Sequence, residues 1–338
     1  MGKPVTRLRP WINGLDLERL RSVVQILSFV FLLYGGYLAV DLSSSLPTFA
    51  CAFVESRGGT CYLYPLQHQA NIPVDQILTG RGMGVLTSFL TFLLFFVFLN
   101  KGWCGFLCPL GTVQDWITGM RRQLGIRPSS YRRVTFRRLG WIKYGLLLLL
   151  LVLPLGMSNA LPGLPKLSSE FATPFCLLCP GRTVLPLLSL GDLSQLSLDL
   201  GSWPKAVLTA LGLLFTGVFL AGALVKKRFA CLFCPMSALQ YLVSKVAFFR
   251  LRKDGGTCSR CGNCLRVCDM GIVAIAEDCT HKNILQADCM LCLKCVGACP
   301  EERCLEATVL GWPVYQSTGA GFHRRLARKM ADWADHER

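Results

Sequence analysis

Apolar and polar positions along this chain are gathered into long blocks instead of alternating with a helical or strand period. Four apolar blocks stand out, at 22–40, 82–99, 141–157 and 206–225. Each is near the roughly 17–25 residues that carry a helix across a bilayer. Leu146–Leu153 in the third block is an unbroken run of leucine and valine, hard to place in a soluble core. Lys143, near one end of that block, has a side chain long enough to snorkel. The pattern therefore predicts an α-helical integral membrane protein with four transmembrane helices in two repeated hairpins. The segment 236–251 is apolar on much of its surface but carries Lys245 and Arg250, so it reads as an interfacial helix. The stretch 183–198 reads as a second interfacial or re-entrant piece.

Charge changes the picture by giving the blocks a direction. Residues 100–140 hold Lys101, Arg121, Arg122, Arg127, Arg132, Arg133, Arg137 and Arg138 against one acid, Asp115. Lys226, Lys227 and Arg228 follow the fourth block, and Lys3, Arg7, Arg9, Arg19 and Arg21 precede the first. Basic residues mark cytoplasmic loops. Both termini and the 100–140 loop are expected in the cytoplasm, with 41–81 and 158–205 facing outward, in a bacterial inner membrane. The net charge of +16 is then mostly topology, suited to anionic lipid, and nucleic acid is not needed to explain it. The first 21 residues have no short apolar core or cleavage site, so the first block is expected to be retained.

The chain has 338 residues and 18 cysteines, most of them in CxxC and CxxxC units. Residues 258–268 read CSRCGNCLRVC and residues 289–300 read CMLCLKCVGACP. This doubled C-x2-C-x2-C-x3-C spacing is the bacterial ferredoxin pattern, in which the fourth cysteine of each run serves the other cluster. It assigns Cys258, Cys261, Cys264 and Cys299 to one [4Fe–4S] cluster, and Cys289, Cys292, Cys295 and Cys268 to the other. Zinc is the weaker alternative. The runs look like a two-cluster ferredoxin domain of α+β type at 255–304 on the cytoplasmic side, followed by a basic tail at 305–338. Asp269 stands where that domain family usually has proline, and Cys279 and Cys304 read as small buried side chains.

The remaining eight cysteines form a repeat. KGWCGFLCPLGTVQ, with Cys104 and Cys108, and KKRFACLFCPMSALQ, with Cys231 and Cys234, each follow an apolar block and each end in Cys-Pro before a helix with an early glutamine. These four are expected to bind a further iron–sulfur cluster at the inner face, with isolated thiols or another metal as alternatives. The outward loops carry Cys51 and Cys61, then Cys176 and Cys179. They bind a cluster or form disulfides, which an outer compartment permits. The resulting order is 1–21 N-terminal segment, 22–99 first hairpin, 100–140 basic loop, 141–235 second hairpin and 236–254 interfacial helix and linker, ahead of the ferredoxin domain.

CGFLCP at 104–109, CLFCP at 231–235 and the doubled cysteine runs together resemble the quinol-dehydrogenase ferredoxin-type subunit of periplasmic nitrate reductase. They also resemble the membrane region of the nitrous-oxide-reductase regulatory flavoprotein. The resemblance covers about 20–305, and CLFCP is one residue short of that pattern. It implies an electron-transfer subunit of a membrane respiratory complex, with a quinone or quinol pool and a ferredoxin-like protein, cytochrome or terminal reductase as partners. The alternative is a redox-dependent assembly or regulatory factor, as in the membrane ferredoxin-like cupric reductase family. No catalytic residue is expected. His68, Gln25, Tyr34 and Tyr37 are candidates for proton or quinone handling, each with ordinary packing as its competing explanation. None of the four histidines lies in a predicted span and no CxxCH occurs, which argues against haem.

Overall fold

A computed structural model of the chain describes residues 17–39, 47–48, 50–70, 80–126, 133–158, 174–189 and 203–336. The expected cleavage-free segment at 1–16 and most of the outward piece at 183–198 lie outside these residues. The chain divides into two compact units, residues 1–24, 97–106 and 243–338 on the one hand and 25–96 and 107–242 on the other.

The larger unit is helical. It contains most of α1 (Leu17–Tyr34) and α3 (Gly80–Leu99), together with α2 (Leu63–Ala70), α5 (Pro109–Gln123), α6 (Arg133–Ser158), α7 (Pro174–Leu178), α8 (Pro180–Leu188), α9 (Trp203–Val225) and α10 (Phe229–Phe233). A short parallel pair, β1 (Pro47–Thr48) and β2 (Thr60–Cys61), ties the first loop to itself. Phe92 stacks on Tyr62 with ring centroids 4.1 Å apart and meets Phe96 at 4.6 Å. Leu33, Phe92, Phe96, Leu150 and Leu232 are wholly buried and mark the core. Helix α5 starts at Pro109, whose fixed φ suits a first helical position. It ends where Gly125 takes φ +69°, with Gly125 N–H donating to Arg122 O and Ile126 N–H to Arg121 O, both at 3.1 Å. Gly212 on α9 lets α7 approach: a Cβ there would lie 2.7 Å from the Leu177 carbonyl oxygen.

The smaller unit holds α4 (Gly102–Phe106), an antiparallel sheet of β3 (Arg250–Lys253), β4 (Leu305–Val309) and β5 (Trp312–Gln316), and α15 (Gly319–His336). Between β3 and β4 lie three single-turn helices, α12 (Asn263–Arg266), α13 (Ala274–Glu277) and α14 (Lys294–Gly297). Leu310 and Gly311, at φ +52° and +87°, make the two-residue β4–β5 turn, which needs left-handed backbone at both positions. Leu251, Leu305 and Ala307 face the buried side of the sheet. The buried Lys253 ammonium donates to the carbonyls of Ile275 and Ala276, at 2.9 Å each, closing the end of α13. The remaining short helix, α11 (Pro235–Ser244), leads from one unit into the other.

The fold class expected from the sequence does not hold. Among the described residues only two helices are long and apolar enough to cross a membrane, at Gly82–Leu99 and Ala206–Val225, so four spans in two hairpins are not present. The first apolar block fails because α1 stops at Tyr34, before Gly35 and Gly36, and opens with Glu18, Arg19 and Arg21. The third fails because arginines crowd the start of α6 and Pro154 interrupts it, leaving an apolar stretch of only Leu139–Pro154. Lys143 is buried at 1 % exposure, so it does not snorkel to a surface. The expected α+β ferredoxin fold at 255–304 is also corrected. All three strands lie outside that range, in an open sheet, because β-forming residues sit in what reads as linker and tail.

Candidate metal centres

In the smaller unit the two cysteine runs interleave. One cleft is lined by Cys268 from the first run and Cys289, Cys292 and Cys295 from the second. Leu251, Ile272 and Ile275 are among its apolar walls. The other is lined by Cys258, Cys261 and Cys264 with Cys299. The exchange of the fourth cysteine between runs follows from α12 and α14, each a single turn that carries its x3 step back across the unit. Backbone at φ +57° on Arg260, +49° on Leu291 and +58° on Leu293 bends the x2 steps so that neighbouring thiols converge.

The donor set suits iron–sulfur clusters. Burial pushes the Cys268 thiol up to about 11 and the Cys289 thiol up to about 12, and raises Cys264 and Cys295 as well. Ligation takes the deprotonated thiolate, so binding at these cysteines releases protons and weakens as pH falls. Among the described residues no three His, Cys, Asp or Glu side chains converge as a single metal ion requires. A mononuclear zinc holds all its sulfurs about 2.3 Å from one point. A [4Fe–4S] cluster instead spreads its four cysteine ligands over four irons.

Two features of these clefts were not legible from the motif. Asp269 is buried and ion-paired with Lys294, both lining the first cleft. Cys304 is 1 % exposed and lines the second, where its hydrogen bond to Cys299 holds that thiol below the ordinary range. Helix α4, which carries Cys104, belongs to this unit. A Cβ on Gly105 would lie 2.6 Å from the Met290 carbonyl oxygen and 3.2 Å from Cys292 Cα, so the absence of a side chain permits the approach. Arg21 Nε donates to the Gly105 carbonyl at 2.9 Å and the Lys101 ammonium donates to the Ala287 carbonyl.

The helical unit brings Cys108, Cys231 and Cys234 together: burial pushes the Cys108 thiol up to about 12, Cys231 and Cys234 add to the rise, and Arg228 opposes it. Gln114 fixes the arrangement. Its Oε1 accepts from Ala230 N–H at 3.0 Å, and its Nε2 donates to Cys231 Sγ at 3.7 Å. Arg228 is buried with left-handed backbone at φ +52° and ion-pairs with Asp115, its Nε reaching Oδ1 at 2.9 Å. Gln25 Nε2 donates to the other oxygen of Asp115 at 2.8 Å, which accounts for Gln25 structurally.

Cys51, Cys61, Cys176 and Cys179 also lie in the helical unit, and all four are free thiols. Tyr34 Oη donates to the Leu188 carbonyl at 2.5 Å, Tyr37 is 69 % exposed, and His68 packs edge-on against Tyr64 with centroids 4.6 Å apart. Tyr34 and His68 are thus held by ordinary packing contacts.

Two family models match parts of the chain. A 4Fe-4S binding domain matches twice, over 81–127 and 208–254, and a 4Fe-4S dicluster domain matches 250–300. The chain is related to ferredoxin-type electron-transfer proteins. It is 26 % identical over 280 residues to the ferredoxin-type protein NapH of Escherichia coli, covering 81 % of this chain and 79 % of that one. It is 28 % identical over 204 residues to the methylamine utilization ferredoxin-type protein MauN of Methylorubrum extorquens, covering 58 % of each. It is 27 % identical over 213 residues to NirI of Paracoccus denitrificans, covering 60 % of this chain and 26 % of NirI. The chain therefore spans well under two thirds of MauN and of NirI. No solved structure matches it. Iron–sulfur binding and a general role in redox electron transfer follow from these matches.

Proposed function

We propose that this protein is the iron–sulfur subunit of a respiratory complex in a bacterial inner membrane, passing electrons between a quinone or quinol pool, or a membrane partner, and a redox partner. The observation that carries the reading is the pair of clefts lined by four cysteines each, with Cys268 and Cys299 exchanged between the two runs. In this reading Cys258, Cys261, Cys264 and Cys299 hold one [4Fe–4S] cluster, and Cys268, Cys289, Cys292 and Cys295 hold the other. When bound, such clusters supply one-electron transfer at a potential tuned by charge and burial. The chain's own part is to bury the ligands, exclude water with Leu251, Ile272 and Ile275, and set the local field through Asp269 and Lys294.

The sequence repeat assigns Cys104, Cys108, Cys231 and Cys234 to a further cluster. Lys101 after one apolar helix, and Lys226, Lys227 and Arg228 after the other, favour the cytoplasmic side for those helix ends. The quinone partner rests on the likeness to NapH-type proteins.

Anaerobic purification in detergent followed by an EPR redox titration tests the reading. Reduced [4Fe–4S] signals are expected, and Cys264→Ser is expected to remove one of them. Stoichiometric zinc with no iron or labile sulfide would overturn it.

A further inference from the structure

Gln67 repeats, in another part of the helical unit, what Gln114 does at Cys231. Its Oε1 accepts from Phe175 N–H at 3.0 Å, and its Nε2 donates to Cys176 Sγ at 3.0 Å. In both cases a buried amide holds the backbone N–H just before a cysteine and points its own N–H at that cysteine's sulfur. The spacing repeats too, since Gln67 follows Cys61 by the same interval as Gln114 follows Cys108. The backbone repeats as well. Cys179 precedes Pro180 at φ −70°, ψ 127°, Cys108 precedes Pro109 at −66°, 117°, and Cys234 precedes Pro235 at −69°, 117°. A five-residue helix carrying another cysteine stands before each: α7 before Cys179, α4 before Cys108 and α10 before Cys234.

From this we infer that Cys51, Cys61, Cys176 and Cys179 ligate an iron–sulfur cluster of their own, with Gln67 as its positioning residue. The family models stop short of all four cysteines. The four come from two loops far apart in sequence, yet Cys51, Cys176 and Cys179 all act electrostatically on Cys61. Cys61 N–H donates to the Ala50 carbonyl at 2.7 Å, which holds Cys51 beside Cys61. Arg57 Nη1 donates to the carbonyls of Ala52 at 2.9 Å and Val54 at 3.1 Å, and Arg182 lies over the Phe53 ring at 5.0 Å. Both guanidinium groups bear on Cys51. Four thiolates around a cluster carry net negative charge, which two buried-side cations and an N–H donor offset. Two neutral disulfides would give these groups no charge to face.

The inference rests on the chain being an iron–sulfur protein, and the test separates the two claims. The full chain is purified anaerobically in detergent, and iron, labile sulfide and free thiols are counted beside EPR and Mössbauer spectra. With clusters in both ferredoxin clefts and both membrane quartets, about 16 irons per chain are expected. Cys176→Ser is expected to lose about a quarter of the iron and leave the signals removed by Cys264→Ser intact. Gln67→Leu keeps all four thiols and is expected to shift the potential of one signal with unchanged iron, which tests the clamp even if Cys176→Ser fails to fold. Iron unchanged in Cys176→Ser, or alkylation of the denatured but unreduced chain that misses these four cysteines because they are disulfide-bonded, overturns the inference while leaving the ferredoxin signals. Absence of iron throughout overturns both claims.

Discussion

At the scale of single residues, the departure at Asp269 from the ferredoxin pattern acquires a physical reading. A proline there would only shape the turn, whereas Asp269 puts a buried carboxylate beside Cys268 and pairs it with Lys294. Removing its charge leaves the Lys294 cation to act on the cleft alone. Asp269→Asn is therefore expected to raise the reduction potential of one ferredoxin cluster, on the order of 50 mV for one charge at moderate distance and dielectric. A potentiometric EPR titration in which both midpoints stay put would refute this. Gln114 makes the matching case in the helical unit. Gln114→Leu leaves the Ala230 N–H without its acceptor, and a buried unsatisfied amide costs about 1–3 kcal/mol. A lower thermal midpoint is expected, and if the proposed cluster at Cys231 is present its EPR signal should change as well. The eight cysteines of the two ferredoxin-type runs stood out in the sequence by their x2 and x3 spacing, and the two clefts draw on those same residues. Gln67 did not, since its role depends on a hydrogen bond to a segment 109 residues away. Its only sequence trace is the repeated interval from Cys61.

Helices are where the sequence misled most, and the reason is length. Hydropathy averages over a block and does not see where the helix stops. The second and fourth blocks hold as helices of spanning length. The first ends early at its glycine pair, and the third spends part of its helix on arginine-rich sequence. Within α9, glycine positions separate into those that are packed and those that are open. A Cβ at Gly212 would meet the Leu177 carbonyl oxygen at 2.7 Å, against backbone that cannot give way cheaply, while nothing lies within 4 Å of one at Gly217. Gly212→Val should push α7 aside and cost about 1–3 kcal/mol, displacing Cys176 with it. Gly217→Ala should be neutral or gain up to about 1 kcal/mol from helix propensity. Thermal unfolding of the two variants in one detergent decides it, and equal midpoints would show that α7 does not depend on the close approach.

The whole molecule combines a helical unit with an apolar core of its own and a smaller unit whose buried apolar residues, among them Met270, Ile272, Ile275, Ile284, Leu291 and Val296, lie in the same segment as its eight ferredoxin-type cysteines. Between Lys253 and Leu305 the regular structure among the described residues is three single-turn helices and a bridge from Asn283 back to Arg252, around two clefts that carry eight cysteines. Isolated turns of that size are not stable in water. Ligand binding is therefore expected to add to the order that the buried apolar residues supply, as metal binding does in small metal-dependent domains. In the helical unit Phe92, Phe96, Leu150 and Leu232 pack without any metal, so its order does not depend on the same source. The two units should respond differently when iron is withdrawn. Treatment with a chelator under mild oxidation is expected to open residues 254–304 to trypsin, at Arg260, Arg266, Lys282 or Lys294, while α3 and α9 stay intact. Far-UV circular dichroism should keep most of its helical signal at the same time, because the long helices hold nearly all of it. Mass spectrometry of the fragments, with and without iron, reads the outcome directly. Identical cleavage in the two states would mean that the sheet of β3, β4 and β5 holds the ferredoxin segment without its clusters.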